Sequence, residues 1–564
     1  MDRKTHIEQL DKLWEKNWPK NFPREPDYPF GEVLITDYLR KRAQLTPDKP
    51  CVIYYGAEMS FGQLNDYSDR FAAYLAGRGL EKGDRVAVFM PNCPQFLIAF
   101  YGILKLGCIH VPVNPLFKEA EFVYEIQDAD AKAIVALDLL YSLVAETREQ
   151  TNLEVILSTS LTDWIPEKPT FPVPDLAQMP RQECPGSSDL MTVLDENPGP
   201  CPQVDVSLDD IAALNYTGGT TGMPKGCIHT QRDMLYTAAC VNLGMGLPDE
   251  NDMFVTYLPV FWIAGEDAGV LSPIFTGVPE ILLTRWDADA VLKAIDKHKA
   301  TIIYGLVDNI VELMDHPQVS QYDLSSLRET TVSSFVKKVN KEYRERWRDL
   351  TGCIMRESSY GLTETHTMDT LTAGLQTNDM DLAKPGFVGL PMPGTRFMVA
   401  DFDTSEPLPF NNEGEILVQS PSVMKAYWNK PDETARQLVG DWLHTGDIGA
   451  VDDNGFLYYL GRTKEMLKVK GMSVFPSEVE TLLGQHPAIA GSGVIGRSDE
   501  KKGEVPVAFI QLKPEYEGQV SETDLTAWCK EKMAGYKVPE IRILDQLPLT
   551  ATGKVQKEQL KEKL

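Results

Sequence analysis

Short apolar runs alternate with helix-type patterns along the chain, and this alternation limits the folds open to it. Residues 85–90, 133–137 and 300–306 read RVAVFM, AIVAL and ATIIYGL. Such runs between helices are typical of strands covered on both faces of a parallel sheet. Residues 96–113 are apolar almost to membrane-spanning length, but Lys105 and Pro112 interrupt them, which predicts a buried helix and then a strand. We therefore expect an α/β fold with a large N-terminal body of doubly wound sheets.

The pattern changes after Asp447, where short strand-like pieces surround a basic cluster. Residues 476–487 predict a helix with proline in its first turn, and strand, turn and helix patterns continue to Leu564. About 100 residues are enough for a separate domain. We predict an N-terminal domain at residues 1–461, a hinge at 462–465 and a small, mobile α+β domain at 466–564.

A proline-rich stretch interrupts the N-terminal part of the chain. Nine prolines lie between residues 166 and 202. Proline removes a backbone donor and fixes φ, so this stretch predicts a surface excursion without helix or central strand.

Composition excludes several classes of function. The formal net charge of −27 argues against a nucleic-acid-binding protein, which needs clustered cations to displace counterions. The first fourteen residues mix charges without an apolar core, so no secretory signal or transmembrane segment is predicted and we expect a cytoplasmic protein. Nine cysteines stand singly without zinc-site spacing, which favours reduced thiols. A monomer or homodimer, and a peripheral membrane contact, both stay open.

A glycine- and threonine-rich loop follows the predicted strand IAALNYT. Residues 216–226 read YTGGTTGMPKG, and such a loop offers amides, hydroxyls and one lysine to a polyanion that can approach the backbone closely. It is not a P-loop of the Walker A type, because its lysine follows Met223-Pro224. The GSGVIG stretch at 491–496 matches a dinucleotide pattern, but no helix is predicted after it. Lone histidines such as His229 and His298 are expected to be core or surface residues rather than ligands.

Four further motifs follow the loop: YGLTE at 360–364, WLHTGD at 442–447, GRTKEMLKVKGMSVFPSEVE at 461–480 and TATGK at 550–554. With the loop, this ordered set resembles the acyl-adenylate-forming superfamily of AMP-dependent synthetases and ligases. VNPLF at 113–117 and GYKVP at 535–539 look most like the long- and medium-chain fatty acyl-CoA ligases of its acyl-CoA synthetase branch. The resemblance implies a small barrel-like part in the N-terminal body. It also implies that a carboxylic acid and ATP give acyl-AMP and pyrophosphate, after which CoA gives acyl-CoA and AMP.

The resemblance also assigns roles to residues that bind the nucleotide. Tyr360 and Gly361 would form the adenine-side wall, and Asp447 would accept both ribose hydroxyls while Arg462 reaches the ribose or phosphate. Thr363 would donate to the α-phosphate, and Glu364 would bind Mg²⁺, which prefers oxygen ligands and neutralises phosphate charge. The phosphate contacts that the resemblance implies are Thr217, Gly218, Gly219, Thr220, Thr221, Gly222 and Lys225.

A second group of roles belongs to the C-terminal part. Lys554 would supply positive charge to the reacting oxygens, and such a donor is typically worth ~10²- to 10³-fold in rate. A lysine that fills the site obstructs the thiol that attacks next, so the small domain must move. Lys464 would be the pivot, and Lys468 and Gly471 would serve CoA in the second half-reaction.

Two departures from the family pattern bear on the acid. Phe261-Trp262 stands where relatives commonly carry an aromatic-His pair, and Ser333-Ser334-Phe335 where they carry Gly-Gly-Ala. Trp262 and Phe335 would narrow an acyl pocket and favour a short, medium or aromatic acid. A fatty acid is preferred, and an aryl or small polar carboxylate, or a catalytically weak nucleotide-binding relative, stay as alternatives. Glu266-Asp267 would suit a cationic substrate, but acids also favour the first turn of a helix, and that interpretation is preferred.

Overall fold

The computed structural model describes residues 2–196, 198–217, 223–375, 386–469, 472–499, 503–550 and 553–564. Their strands form four sheets, two of them mostly parallel. The α/β class, the barrel-like part and the small C-terminal unit expected from the sequence are confirmed.

The first parallel sheet carries the strand that enters the glycine-rich loop. Its outer pair is antiparallel and joins Ile211–Tyr216 to Gly226–Thr230, so the loop between them is a hairpin at the edge of the sheet. The predicted strands at 85–90 and 133–137 are confirmed here. In spatial order the strands are Ser188–Asp189, Val155–Thr159, Ala133–Leu137, Arg85–Phe89, Ile109–Pro112, Ile211–Tyr216 and Gly226–Thr230.

The second parallel sheet packs against the first through a shared apolar core. The predicted strand at 300–306 is confirmed as Ile302–Leu306. Its last residue, Leu306, is paired with Ser333 at the end of the neighbouring parallel strand. In spatial order the strands are Met355–Glu357, Glu329–Ser333, Ile302–Leu306, Phe254–Thr256, Glu280–Leu282, Pro50–Tyr54 and Ala57–Ser60.

The third sheet is antiparallel and forms the barrel-like part. The N-terminal helix Arg3–Asn17 packs on it: the Trp14 indole donates to the Gly455 carbonyl at 2.9 Å, and its ring meets Phe397 edge-on. In spatial order the strands are Thr370–Leu371, Phe387–Pro391, Leu457–Arg462, Trp442–Val451, Gly414–Gln419 and Arg396–Ala400, with Leu438–Val439 beside Trp442–Val451.

The fourth sheet is built from residues after 466 and has its own apolar core with two helices. Residues 491–496, the GSGVIG stretch, lie inside its strand Ile489–Asp499. Strand interior offers no helix N-terminus to a pyrophosphate, which agrees with the sequence interpretation. The strands are Met472–Val474, Leu467–Val469, Gly503–Leu512, Ile489–Asp499 and Glu540–Ile543.

Helices cover both faces of the parallel sheets, and none of those described is both long and apolar enough to cross a bilayer. The longer ones are Arg3–Asn17, Ile35–Leu45, Phe61–Gly77, Pro94–Lys105, Glu119–Ala129, Gln231–Gly244, Ala288–His298, Val307–Asp315, Lys341–Thr351, Pro476–Leu483 and Glu522–Lys532. Shorter ones are Tyr141–Glu146, Asp175–Gln178, Leu190–Asp195, Ile263–Glu266, Ser272–Thr276, Pro431–Gln437 and Lys557–Lys561.

The proline-rich stretch is less irregular than its composition predicts. It contains the short helices Asp175–Gln178 and Leu190–Asp195, and Ser188–Asp189 pairs with the edge of the first sheet. The exclusion of helix was therefore wrong. Pro174 stands immediately before the first of these helices, where its missing N–H removes no helical hydrogen bond.

Candidate active site

The stem of the glycine-rich loop is closed by its two ends. The Thr217 amide donates to the Lys225 carbonyl at 3.0 Å, and the Lys225 amide donates to Thr217 Oγ1 at 3.2 Å. These reciprocal bonds fix where the loop leaves the sheet and aim both residues at the same end of it. Five predicted phosphate contacts lie outside the described residues, and so does the predicted CoA contact Gly471. The five are Gly218, Gly219, Thr220, Thr221 and Gly222.

Lys225 and Glu364 meet across one aromatic ring. Lys225 Nζ lies 4.2 Å from the centre of the Tyr427 ring, and the Tyr427 hydroxyl donates to Glu364 Oε1 at 2.7 Å. Lys225 Nζ is also 3.5 Å from Glu433 Oε2. The ring holds a cation and a carboxylate on one side of the cleft, so Tyr427 belongs to the site although no sequence motif indicated it.

The loop that carries Thr363 and Glu364 is tightly folded. Gly361 is required by this fold, because a Cβ added to it would lie 1.1 Å from the Thr367 carbonyl oxygen. The Thr363 carbonyl accepts from the His366 amide at 3.2 Å and from His229 Nε2 at 2.7 Å. The sequence interpretation gave Gly361 an adenine-side role, whereas the contact that the structure gives it is with its own loop.

Tyr360, Asp447 and Arg462 form a second set at the junction of the domains. The Tyr360 hydroxyl donates to Asp447 Oδ2 and Arg462 Nε lies beside Asp447 Oδ1, both at 2.7 Å. Antiparallel pairing of the barrel strands places Asp447 directly opposite Arg462. Burial raises the pKa of Asp447 to about 6, although Arg462 and Tyr360 oppose the rise.

Lys554 reaches this set from the C-terminal unit. Its Nζ lies 4.9 Å from the centre of the Phe335 ring, on the large body. Desolvation in the cleft lowers the pKa of Lys554 and Arg462 acts in the same direction, whereas Asp447 opposes the fall. The side chain keeps solvent access, so the lysine stands in an open cleft surrounded by charges of both domains.

The predicted hinge contains Arg462 and Lys464, which are exposed, and Thr463 and Glu465, which are partly buried. Lys464 lies in the single turn Thr463–Glu465, which directly precedes the first strand of the C-terminal sheet. Lys468 lies on that strand, and its amide donates to Glu504 Oε2 at 2.7 Å. Glu465 is ion-paired with the mostly buried Lys557 of the last helix. The C-terminal helix is thereby tied to the turn where the chain passes from one unit to the other.

Trp262 and Phe335 are both half-buried, in different surroundings. Trp262 directly precedes the helix Ile263–Glu266 and meets Phe261 edge-on at 5.7 Å. Phe335 lies under Lys554, so it contributes to the domain contact as well as to any pocket. Two narrow adjoining cavities, each with room for about one water molecule, lie nearby and share Met245 and Tyr304.

Glu266 lies in the first turn of the helix Ile263–Glu266, as predicted, whereas Asp267 begins the π-helical turn that follows, and both acids are buried. Asp267 Oδ1 lies 3.1 Å from His366 Nδ1, and Glu266 Oε2 accepts from the side-chain Nδ2 of Asn215 at 3.2 Å. Burial raises the pKa of Glu266 to about 8. Burial opposes protonation of His366, but Asp267, Glu266 and Asp233 together outweigh it and raise the pKa of His366. The helix N-terminus alone does not account for these acids.

The site residues and their order match a known family. A model of the AMP-binding enzyme family matches residues 39–428, and one of the AMP-binding enzyme C-terminal domain matches residues 478–554. The chain belongs to the AMP-binding enzyme family. It lies in the acyl-CoA synthetase branch of the acyl-adenylate-forming enzymes, and ATP and CoA are substrates of this branch.

Relatives of this branch resemble the chain over nearly its whole length. The long-chain-fatty-acid–CoA ligase of Bacillus subtilis is 34% identical, with 98% of each chain covered. An anthranilate CoA ligase solved with anthranoyl-AMP has a TM-score of 0.81 at 28% identity, covering 94% of this chain and 97% of the other. A benzoate CoA ligase from Burkholderia xenovorans has a TM-score of 0.79 at 25% identity, covering 94% and 99%. Fatty and aryl acids are thus both represented among its relatives.

Sequence reasoning missed Tyr427 and His366, and it named His229 only as a core or surface residue, which agrees with its burial. Tyr427 belongs to no motif and reaches Glu364 from 63 residues away. The histidines are expected singly to be core residues, and only the pairing of several of them with adjacent acids carries a signal. Among the described residues, no group of three or more His, Cys, Asp or Glu side chains has the arrangement of a metal site.

Proposed function

We propose that this protein is an acid–thiol ligase that activates a fatty acid with ATP and Mg²⁺ and transfers the acyl group to CoA. The observation that carries the residue-level proposal is the meeting of Lys554, from the C-terminal unit, with Phe335 and the charges of Asp447 and Arg462 on the large body. A lysine brought there from a separate unit fits a reaction that needs positive charge in one step and space in the next.

In the adenylation step a carboxylate must approach the α-phosphate, and two unit charges at 4 Å repel by about 4 kcal/mol at an effective dielectric near 20. We assign Lys225 and the loop at 217–222 to the β- and γ-phosphates, and Thr363 to the α-phosphate. Lys554 would stabilise the charge that develops on the reacting oxygens. These groups offset the repulsion and hold the leaving pyrophosphate.

Glu364 is a suitable magnesium ligand, because its carboxylate faces the cleft and accepts only one described hydrogen bond to Oε1, from Tyr427. Mg²⁺ bound there would neutralise phosphate charge. Tyr427 restricts the carboxylate to one orientation, and Lys225 on the same ring keeps a second positive charge within reach of the phosphates.

Nucleotide specificity is assigned to the set at the domain junction. Asp447 would accept the ribose hydroxyls, and Arg462 would reach the ribose or a phosphate from the opposite strand. Tyr360 would present its ring to the adenine while its hydroxyl stays on Asp447.

In the second step the C-terminal domain, residues 466–564, would rotate about the hinge at 462–465 with Lys464 as pivot. Rotation would withdraw Lys554 and bring the strand that carries Lys468 toward the cleft, together with Gly471. The single-turn character of Thr463–Glu465 and the exposure of Lys464 support a pivot there, because few backbone hydrogen bonds would break.

For the acid we favour a short- or medium-chain fatty acid. The two cavities adjoining Tyr304 are narrow, and their lining includes Thr256 and Ser358 beside apolar Leu258 and Ala268. Trp262 precedes the helix Ile263–Glu266, which continues into the π-helical turn Asp267–Leu271 that contributes Ala268 to the lining. We assign Trp262 and Phe335 to the acyl pocket. An aryl acid is the second candidate, favoured by the anthranilate and benzoate ligases among the similar structures. A cytoplasmic location, and a monomeric or homodimeric state, remain predictions.

The test is ATP–pyrophosphate exchange by the purified protein with a panel of fatty, aryl and small polar acids, followed by acyl-CoA formation when CoA is added. We expect activity to peak with C4 to C10 fatty acids. Trp262→Ala should move the optimum toward longer chains, with about a tenfold gain in kcat/KM for the longer acid, because pocket methylenes are worth ~1–3 kcal/mol each. An unchanged chain-length profile would remove Trp262 from the pocket, and exchange with none of the acids would refute the reaction.

A further inference from the structure

Five titratable side chains lie buried together beneath the candidate active site. His110, His229, Glu266, Asp267 and His366 are each at most 1% exposed. Burying charged or polar groups costs several kcal/mol unless they are paired. The free energy needed to bury a cluster of this size therefore calls for a functional explanation.

The cluster touches both loops of the site. His229 Nε2 is 2.7 Å from the Thr363 carbonyl oxygen. That oxygen can only accept, so Nε2 of His229 must carry the hydrogen. On the other side, Asn215 donates to Glu266 Oε2 at 3.2 Å, and Asn215 stands two residues before Thr217 at the stem of the glycine-rich loop.

His229 is held in that orientation by a second histidine. The two rings meet edge-on, with centroids 4.6 Å apart and planes at 88°. His366 Nδ1 lies 3.1 Å from Asp267 Oδ1, and Asp267 is fixed at the start of a π-helical turn, Asp267–Leu271. Such turns are rare and occur frequently at functional sites. The chain of contacts runs from Asp267 through His366 and His229 to the Thr363 carbonyl.

The turn after Thr363 closes this chain of contacts. His366 has a positive φ of 53°, and its amide donates to the same Thr363 carbonyl at 3.2 Å. The Thr367 amide donates to the Leu362 carbonyl at 2.9 Å. One carbonyl oxygen therefore receives two donors, one of them from a buried ring outside the loop, and this fixes the direction of the peptide between Thr363 and Glu364.

We propose that Asp267, His366 and His229 are positioning residues that fix the loop carrying Thr363 and Glu364 for adenylation. They act through the Thr363 carbonyl and touch neither nucleotide nor acid. The proposal rests on the proposed function for its kinetic part, but the order of the loop is a property of the protein without substrate.

The first test compares His229→Leu with His229→Gln in the full-length protein. Leucine fills the apolar volume but cannot donate, whereas the glutamine amide can replace the Nε2 donor. Misplacing a reacting group by 1 Å can cost ~10²-fold in rate. We expect His229→Leu to lower kcat of ATP–pyrophosphate exchange ~10- to 100-fold with KM for ATP changed less than about threefold, and His229→Gln to retain most of kcat.

His110→Leu is the matched control. His110 is equally buried, and its Nε2 lies 3.7 Å from Glu266 Oε2. Its imidazole packs against the rings of Phe96 and Phe100 rather than against the loop. Its kcat should stay near that of the wild type even if its melting temperature changes. Asp267→Asn keeps the shape of the side chain and, like His229→Leu, should lower kcat.

Amide hydrogen exchange of a peptide spanning residues 360–369 gives a readout that needs no activity. His229→Leu should speed exchange in this peptide, whereas His229→Gln and His110→Leu should not. Unchanged exchange in His229→Leu, or an equal loss of kcat in His110→Leu, would overturn the positioning role. An inactive wild type with the expected exchange pattern would refute the proposed reaction and still support the positioning of the loop.

Discussion

The two sides of the cleft are held in different ways. On the large body, Glu364 and Lys225 are fixed through Tyr427, and the neighbouring loop is bonded to the buried His229. On the other side, Lys554 arrives from the C-terminal unit and rests against the face of Phe335. Under the proposed function, Glu364 and Lys225 would meet the phosphates from contacts made within the large body, whereas Lys554 would come to the reacting oxygens from a separate unit.

The largest expected effect follows from removing the positive charge of Lys554. Lys554→Ala should lower ATP–pyrophosphate exchange ~10²- to 10³-fold, because one donor to a developing oxyanion is lost. Conversion of supplied acyl-AMP and CoA into acyl-CoA should fall less than about threefold, since the lysine is absent from that step. Lys561→Ala, an exposed lysine of the last helix, is the control. Exchange at the wild-type rate in Lys554→Ala would end the contrast between the two sides.

A smaller effect is expected from stiffening the hinge. Lys464→Pro fixes φ near −65° in the turn Thr463–Glu465, where rotation would have to occur. Acyl-CoA formation from supplied acyl-AMP should fall ~10- to 100-fold while pyrophosphate exchange stays within about threefold. Lys464→Ala removes the side chain but keeps the backbone free, so it should spare both steps. Equal loss of both steps in Lys464→Pro would contradict the pivot.

The smallest expected effect is a rise in the KM for ATP at acid pH, through Asp447. The pKa of Asp447 is raised by burial to about 6, so its carboxylate gains a proton as the pH falls through that value. Protonation removes acceptors for the ribose hydroxyls, and KM for ATP should rise about tenfold between pH 7 and pH 5. Asp447→Asn should have a high KM at pH 7 with little further rise. The same pH slope in both proteins would assign the titration to another group.

The parts of the fold and site that follow from local sequence were predictable. The strand Ala133–Leu137 is an uninterrupted apolar run, and the antiparallel pairing of Asp447 with Arg462 brings two motif residues together. Five ordered motifs indicated the family, because each recurs with its own residues and in the same order.

Long-range contacts were not predictable. Tyr427 and Glu364 are 63 residues apart, and His229 and the Thr363 carbonyl are 134 apart. Glu266-Asp267 resembled the solvated first turn of a helix, because sequence alone does not show which face of that helix is covered. The burial of Glu266 and Asp267 sets them apart from surface acids, and it was not predictable because burial depends on the packing of the whole domain.

Val336, one residue beyond Phe335, lies among Leu547, Val555 and other apolar side chains of the C-terminal unit. Separating the two units would expose this half-buried valine to water, and each Å² of apolar surface kept from water is worth about 25 cal/mol. Burial of this surface would favour the arrangement in which Lys554 lies beside Phe335 over one in which the two units are apart. Under the proposed function, such a preference would offer Lys554 to ATP and the acid for the first reaction, and withdrawing the lysine for the second reaction would cost free energy.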